Sequence, residues 1–493
     1  MKKIFLFSLA CLLGLSSCNL DINENPNYPK DNQVTADLIF PSVENALADV
    51  VGDQIFCYGG FFSQYFEQRP EANQYNNITW LHLDESSNLF DRCYRLIYAG
   101  ALQDIKDILS KDENTKDIFA CTVLRAYAYQ LLVDNMDYAP YTEALQGRDN
   151  PSPKWDEGKV IFEGILKELD EAEAKVVAGE DMQLTDPLLN KDFSQWQGFA
   201  NALRLRIYLR MIAANIDVAN YKSKVNALVN ADNFFTGDIA WAVYSNAEGQ
   251  FNPWYDTIRQ LRTNNYVAAY PLVQYYLATN DPRISYAISV NDADEKYVGQ
   301  IPGSKLLSKE WNGGKWLNAN VSAINYSRAA SMPIYLFTQS ELQFLIAEIQ
   351  LGNGNDAAAK EAYEAAVKAD FASRGVNGAN EFLTGSKVSW EASTDKAKLI
   401  GMQKWVAFFF RNHMEAWSEI RRTDIPATST SSGEEIFADP SVYSAGDMIV
   451  PATNYIVAGG LCKRVPYPQN ARQLNANTPA SKLLSDRVFW DVK

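Results

Sequence analysis

A mainly α-helical scaffold with long, loop-rich insertions is the fold this sequence predicts. Two observations carry that expectation. Much of the chain spaces its apolar residues at a helical period, as in Ile161, Ile165 and Leu169, with charged residues on the other faces. Segments of this kind also come in consecutive pairs, separated by Asn-, Gly-, Pro- and Ser-rich stretches where the period is lost.

The chain opens on a leader. Lys2 and Lys3 precede an apolar run from Ile4 to Leu15. That run is shorter than the roughly 20 residues a bilayer span requires, so residues 1–17 read as a secretory signal peptide. Leu15-Ser16-Ser17-Cys18 resembles a lipobox, which makes Cys18 the expected lipidation site and 18–493 the mature protein. Polar and acidic residues follow, Asn19-Leu20-Asp21-Ile22-Asn23-Glu24-Asn25, like a tag for export to the cell surface. No later segment is apolar enough to span a membrane, so lipid is the only anchor expected.

The helix pairs follow in order. The first covers about 91–133, from Asp91 to Leu109 and from Asp117 to Val133. The second covers 159–212, from Lys159 to Val177 and from Phe193 to Ile212. The third, 338–369, joins Thr338–Leu351 to Ala357–Ala369. The fourth, 390–421, ends with Lys398–Arg421. In the third pair, Ala347, Ala359, Tyr363 and Ala366 fall at offsets of the tetratricopeptide pattern, while Gln343, Gln350 and Phe371 depart from it. Four degenerate tetratricopeptide-like pairs, each covering its neighbour's apolar face, make a solenoid-like scaffold. An insertion over about 215–333, rich in Asn, Gly, Tyr and Trp, and an irregular stretch from Asp424 to Lys493 supply the long loops where binding sites tend to sit.

Composition excludes some functions. The formal charge is −15, with no basic stripe, so a nucleic-acid partner is not expected. Cys57, Cys93, Cys121 and Cys462 fit no metal-site spacing. An oxidising compartment permits disulfides among them, and buried free thiols are the other reading.

Several motifs resemble the SusD/RagB family. They are Asn25-Pro26-Asn27-Tyr28-Pro29 after the acidic tether, Leu38-Ile39-Phe40-Pro41-Ser42, the run Glu415-Ala416-Trp417-Ser418-Glu419-Ile420-Arg421-Arg422-Thr423-Asp424-Ile425-Pro426, and Arg464-Val465-Pro466-Tyr467-Pro468 followed by Asn475. The resemblance spans the mature chain and looks nearest to the nutrient-binding SusD-like subgroup. It departs at Ala471, where many relatives carry an acidic residue. The resemblance implies a Bacteroidetes-type lipoprotein on the outer face of the outer membrane. Such a protein captures an oligosaccharide, or alternatively a peptide, and delivers it as a lid to a SusC-like TonB-dependent transporter. Independently of the family, Arg421 and Arg422 close a helix where cations favour its dipole and Pro426 prevents its continuation. That motif is read as architectural.

Catalysis finds little support. The two histidines, His82 and His413, form no zinc-type pair, and no nucleophile elbow or P-loop appears. Carboxylates are plentiful, so a glycosidase pair stays open, as does a purely structural repeat scaffold. For a binder, rings that stack on sugar C–H faces are wanted. The candidates are Tyr75 and Trp80 in an Asn-rich loop, and Trp254, Tyr255, Arg259, Trp311, Trp316 and Tyr326 in the insertion. For each, core packing or transporter contact is the alternative. Asp292, Asp294 and Glu295 form a carboxylate cluster with the oxygen chemistry of a structural calcium site, without the glycine and distal glutamate of an EF-hand. No other cofactor is expected.

Overall fold

The structure, a computed structural model, describes residues 34–84, 86–260, 265–304, 318–456 and 459–493. Among these the chain is mainly helical, and its strands form three two-stranded antiparallel ribbons. The expected fold class holds.

The first long helix, α1 (Ala36–Gly52), has no counterpart among the expected pairs. It carries Pro41 in its interior, which reads as a break because proline costs a helix about 3 kcal/mol. Burial outweighs that cost. Phe40, Val43, Leu47 and Val50 are fully buried, each worth about 1.5–3 kcal/mol. Helix α2 (Gln54–Phe62) follows directly. Asp91–Lys111 is then one helical rod, with seven π-helical residues, Leu96–Leu102, at its centre.

Five of the remaining long helices start where the sequence supplies a capping side chain. In α3 (Thr115–Met136), Asn114 accepts from the N–H groups of Lys116 and Asp117. α4 (Gly158–Glu173) packs along α3. α5 (Phe193–Ala213) is capped by Asp192, α7 (Gln339–Gly352) by Thr338, α9 (Lys396–Phe408) by Asp395 and α10 (His413–Thr423) by Asn412. α8 (Asp356–Arg374) makes the broadest interface in the molecule, with α7. α9 and α10 are separate helices because the chain turns between them, with Phe410 at φ 59°.

The stretch 215–333 is less irregular than the sequence suggests. It holds α6 (Val218–Ala231), which is the main partner of α5, and the shorter helices Pro253–Gln260 and Tyr270–Thr279. Only Tyr221 and Val225 of α6 are buried, a stripe too narrow to stand out in an Asn-rich context. The strands are short: β1 (Phe66–Gln68), β2 (Tyr138–Ala139), β3 (Asp156–Glu157), β4 (Ile239–Trp241), β5 (Tyr266–Ala268) and β6 (Ile334–Phe337). They pair β1–β5, β2–β3 and β4–β6.

Charged side chains run through the core in three sets. In the first, Arg206 of α5 meets both carboxylate oxygens of Glu341 at 2.5 and 2.7 Å, and Arg210 meets Glu415 at 2.9 Å and Asp134 at 3.0 Å. In the second, Arg422 bridges Glu348 and Glu419, and Lys404 joins the same two carboxylates. In the third, Arg283 meets Asp281 and Asp370, and Arg374 meets Asp370. The pairing sets the titration. Three carboxylates share two guanidiniums in the first set, and there burial prevails over Arg206 and Arg210 to raise the Glu341 and Asp134 carboxyls. In the second set charges balance. Burial works to raise the Glu348 and Glu419 carboxyls, but Arg422 and Lys404 together hold both below the usual range.

His413 lies in the core and stacks on Phe56 with ring centres 3.8 Å apart. Its Nδ1 lies 2.8 Å from the Phe56 carbonyl, and the Phe410 N–H donates to its Nε2 at 3.1 Å. A carbonyl can only accept and an N–H can only donate, so the ring is neutral with its proton on Nδ1. A Cβ at Gly59 would stand 2.9 Å from the His413 carbonyl carbon, so glycine is what lets α2 approach α10 this closely. All four described cysteines are free thiols.

Three outcomes follow for stability. Arg210→Ala leaves the buried Asp134 and Glu415 carboxylates without the guanidinium that joins them, and we expect a loss of about 3–5 kcal/mol in denaturant titration. Arg259→Ala, which removes two exposed ion pairs, should leave the denaturation midpoint nearly unchanged. Burial lowers the His413 imidazole from 6.5 to about 3. In that window the unfolded chain binds a proton that the folded chain refuses, so this contribution to stability falls on acidification. Relative to His413→Gln, the native chain should lose about 1.4 kcal/mol per pH unit from pH 6.5 down toward 3. A parallel pair of pH–stability curves would contradict this.

Candidate functional site

The loop after β1 is built to present a ring. On β1, Gln68 holds the loop from inside through the backbone N–H of Tyr75, the Ala72 carbonyl and the Asn76 side chain. The short helix Asn76–Thr79 ends at Trp80, whose N–H donates to the Asn76 carbonyl at 2.9 Å. Leu81 then takes φ 54°, a left-handed conformation that costs a non-glycine residue of order 1–3 kcal/mol. The reversal turns His82 outward, and the His82 N–H is tied to the Asn77 carbonyl at 2.8 Å.

The second half of the site comes from the C-terminal segment. The Tyr455 N–H donates to the Trp80 carbonyl at 2.9 Å. Asn454 shapes that loop by accepting from the Ile456 N–H and donating to the Gly460 carbonyl, both at 2.8 Å. The Tyr455 ring stacks on His82 at 4.2 Å and 24°, and beside Trp80 at 6.4 Å and 26°. Tyr455 is 52% exposed. Three nearly parallel rings thus form a ledge, and strain at Leu81 helps set its geometry.

The ledge borders a cleft of about 470 Å³, within the roughly 300–1,000 Å³ usual for small-molecule sites. Leu81, Leu83, Ile456 and Pro466 give it apolar walls, and Ser481 and Ser485 add hydroxyls. Among the described residues Asp84 is its one acidic lining residue. The Asp84 carboxylate accepts from the Ser86 N–H at 2.8 Å and the Ser86 hydroxyl at 2.6 Å, and those bonds hold it below the usual range.

The candidates named from the sequence separate. Trp80 belongs to the ledge. Tyr75 is buried beneath it, its hydroxyl 2.7 Å from that of Tyr266 and its ring against Phe61. Trp254 is 1% exposed, packed among Phe56, Phe66, Tyr266, Tyr326 and Phe410. It is a core residue, and its assignment to a ligand surface is corrected. Tyr326 is half-buried in the same cluster, and Tyr255 packs edge-on against Phe251. Arg259 pairs with Glu248 and Asp256 and lies over the Phe251 ring. None of these five lines the cleft. Cys18, Trp311 and Trp316 lie outside the described residues.

The calcium expectation is also corrected. Asp292, Asp294 and Glu295 lie on an exposed turn that Asn291 organises by accepting from the N–H groups of Asp294 and Lys296. The Asp294 carboxylate pairs with the Lys296 ammonium at 2.8 Å. Among the described residues no three His, Cys, Asp or Glu side chains gather as a metal site requires.

His82 and Tyr455 were not named as ligand residues from the sequence. Tyr455 stands far from Trp80 along the chain, and its only local signal is its place in an irregular segment near Gly459 and Gly460.

Comparisons place the chain. No curated sequence gives a match. Solved structures do. A chitin-binding SusD homolog from Flavobacterium johnsoniae is 20% identical, with a TM-score of 0.71, covering 93% of this chain and 98% of that one. A SusD homolog from Bacteroides fragilis is 17% identical, with a TM-score of 0.71, covering 94% of this chain and 100% of that one. A SusD/RagB family protein from Bacteroides thetaiotaomicron is 19% identical, with a TM-score of 0.71, covering 93% of this chain and 99% of that one. At such identities these likenesses establish the fold. The sequence itself matches the SusD-like family described as "starch-binding associating with outer membrane" over residues 30–439, and the chain belongs to that family.

Proposed function

We propose that this protein captures a glycan on the Trp80–Tyr455–His82 ledge and passes it to a SusC-like TonB-dependent transporter in the outer membrane. The observation that carries the reading is the exposed ring stack at the mouth of the cleft. Sugars offer flat C–H faces that stack on such rings and hydroxyls that need donors and acceptors nearby. The family description names starch, and a solved relative is named as chitin-binding.

Capture without cleavage fits the lining. Glycosidic hydrolysis uses two carboxyl groups, whereas the described lining offers Asp84 alone. Attachment through lipid at Cys18 fits as well. Among the described residues no helix is long and apolar enough to cross a membrane, so a covalent acyl anchor would do the holding.

Affinity and stability measured together test the ledge. Trp80→Ala and Tyr455→Ala should weaken oligosaccharide binding about tenfold while leaving Tm nearly unchanged. Trp254→Ala should lower stability by about 3–5 kcal/mol with affinity per folded molecule retained. Unchanged oligosaccharide affinity in both ledge variants, or binding of peptides alone, would reject the glycan reading. For the anchor, Cys18→Ala should release the protein from the membrane fraction, since acyl burial supplies about 0.8 kcal/mol per CH₂. A firmly bound variant would overturn it.

A further inference from the structure

We infer that the glycan held in this cleft carries an anionic group, a carboxylate or a sulfate ester, met by Lys482 and Arg472. The inference rests on the ledge being the glycan site, and it concerns which sugars that site prefers. Its basis is the charge of the lining. Among the described residues the cleft is bordered by two cations, Arg472 and Lys482, against the single carboxylate of Asp84. This reverses the sign of the molecule, whose formal charge is −15. A random patch of such a surface would be acidic.

Two features make the local charge usable. Lys482 is exposed and takes part in no ion pair among the described residues, so its ammonium can meet an incoming anion without breaking a bond. Asp84 has its carboxylate turned to Ser86 by two hydrogen bonds, both made to the same oxygen. The apolar walls, Leu81, Leu83, Ile456 and Pro466, lower the dielectric on one side of the cations, which strengthens attraction across the cleft. Repulsion from the rest of the acidic surface is damped beyond about 8 Å at physiological salt. The lining therefore decides what a ligand in the cleft feels. A sugar stacked on Tyr455 would place its substituents over the opening bounded by Lys482 and Arg472.

The test is titration calorimetry on the full chain with three probes: a neutral chito-oligosaccharide, an oligogalacturonate and a heparin-derived sulfated oligosaccharide. We expect an acidic probe to bind about tenfold more tightly than the neutral one at low salt, with the advantage shrinking as salt rises. Tighter binding of the oligogalacturonate identifies a carboxylate, and of the heparin fragment a sulfate. Lys482→Ala should weaken the acidic probe about two- to fivefold, Lys482→Arg should restore it, and neither should change binding of the neutral probe. If the neutral probe binds as tightly as both acidic ones and Trp80→Ala weakens it, the charge inference is overturned and the ledge reading stands. If an acidic probe binds and depends on Lys482 but not on Trp80 or Tyr455, the charge inference stands and the ledge reading falls. If neither acidic probe binds, the inference is rejected.

Discussion

Helix α10 is the element on which the rest of the structure depends, because one face of it must satisfy charge from every side. Glu415 meets Arg210 of α5, Glu419 meets Lys404 of α9, and Arg422 reaches Glu348 of α7. Arg421 lies over the Trp417 ring at 3.6 Å and donates to the carbonyls of Asp134 on α3 and Lys463. All of these charged side chains except the partly exposed Glu348 are buried, and an unpaired buried charge costs several kcal/mol. Few other packings of these helices would leave all of them paired. The net stabilisation from buried ion pairs is small against a well-packed apolar core, so what the network supplies is a single arrangement. The motif read from the sequence as architectural is therefore the keystone, through side-chain charge more than through its effect on the helix dipole.

The same helix fixes the candidate site. The Trp417 indole donates to the Cys462 carbonyl at 3.1 Å, and Arg464 donates to the Met136 carbonyl. These contacts pin the irregular C-terminal segment, which carries Tyr455, Pro466 and the wall near Lys482. The opposite half of the ledge is pinned from β1 through Gln68. Both halves are loops, yet each is tied to rigid helix or strand a few residues away. Rings held this way lose little freedom when a ligand stacks on them, which keeps the entropic cost of binding low. The strained φ at Leu81 belongs to the same logic, since the surrounding bonds impose a conformation that leucine alone would avoid.

What was legible in the sequence follows from what is local. Helical period is local, and the helices over α3, α5, α7 and α8 lie where their apolar stripes place them. Helix α1 was hidden by Pro41, and α6 by a thin apolar stripe. Which helices pair is less local: the sequence joins the helices over 159–212 as one pair, but α4 runs along α3 and α6 along α5. Site residues behave the same way. Trp80 could be picked out because an Asn-rich loop surrounds it. Tyr455 could not, because it is brought to Trp80 by contacts between segments far apart in the chain, a backbone hydrogen bond and the ring stack. Trp254 shows the reverse error. Asn252 before it and the aromatic run around it suggest an exposed loop, but the Asn252 side chain donates to the Met332 carbonyl and accepts from the Trp254 N–H, turning the indole inward.

Aromatic content alone is thus a poor guide to binding in this chain, and charge is a better one once its surroundings are known. In the three buried sets each cation meets an anion at contact, because the low dielectric makes an unpaired charge costly. The first buried set, with three carboxylates for two guanidiniums, relieves its excess by favouring a proton. On the surface no such rule operates, since water and salt screen unpaired charge within about 8 Å. An acidic protein can therefore keep a basic cleft at little cost in stability, provided the cations stay exposed. Lys482 meets that condition and Arg206 does not. The first is placed where it can respond to a ligand, and the second where any response would unfold the helices around it.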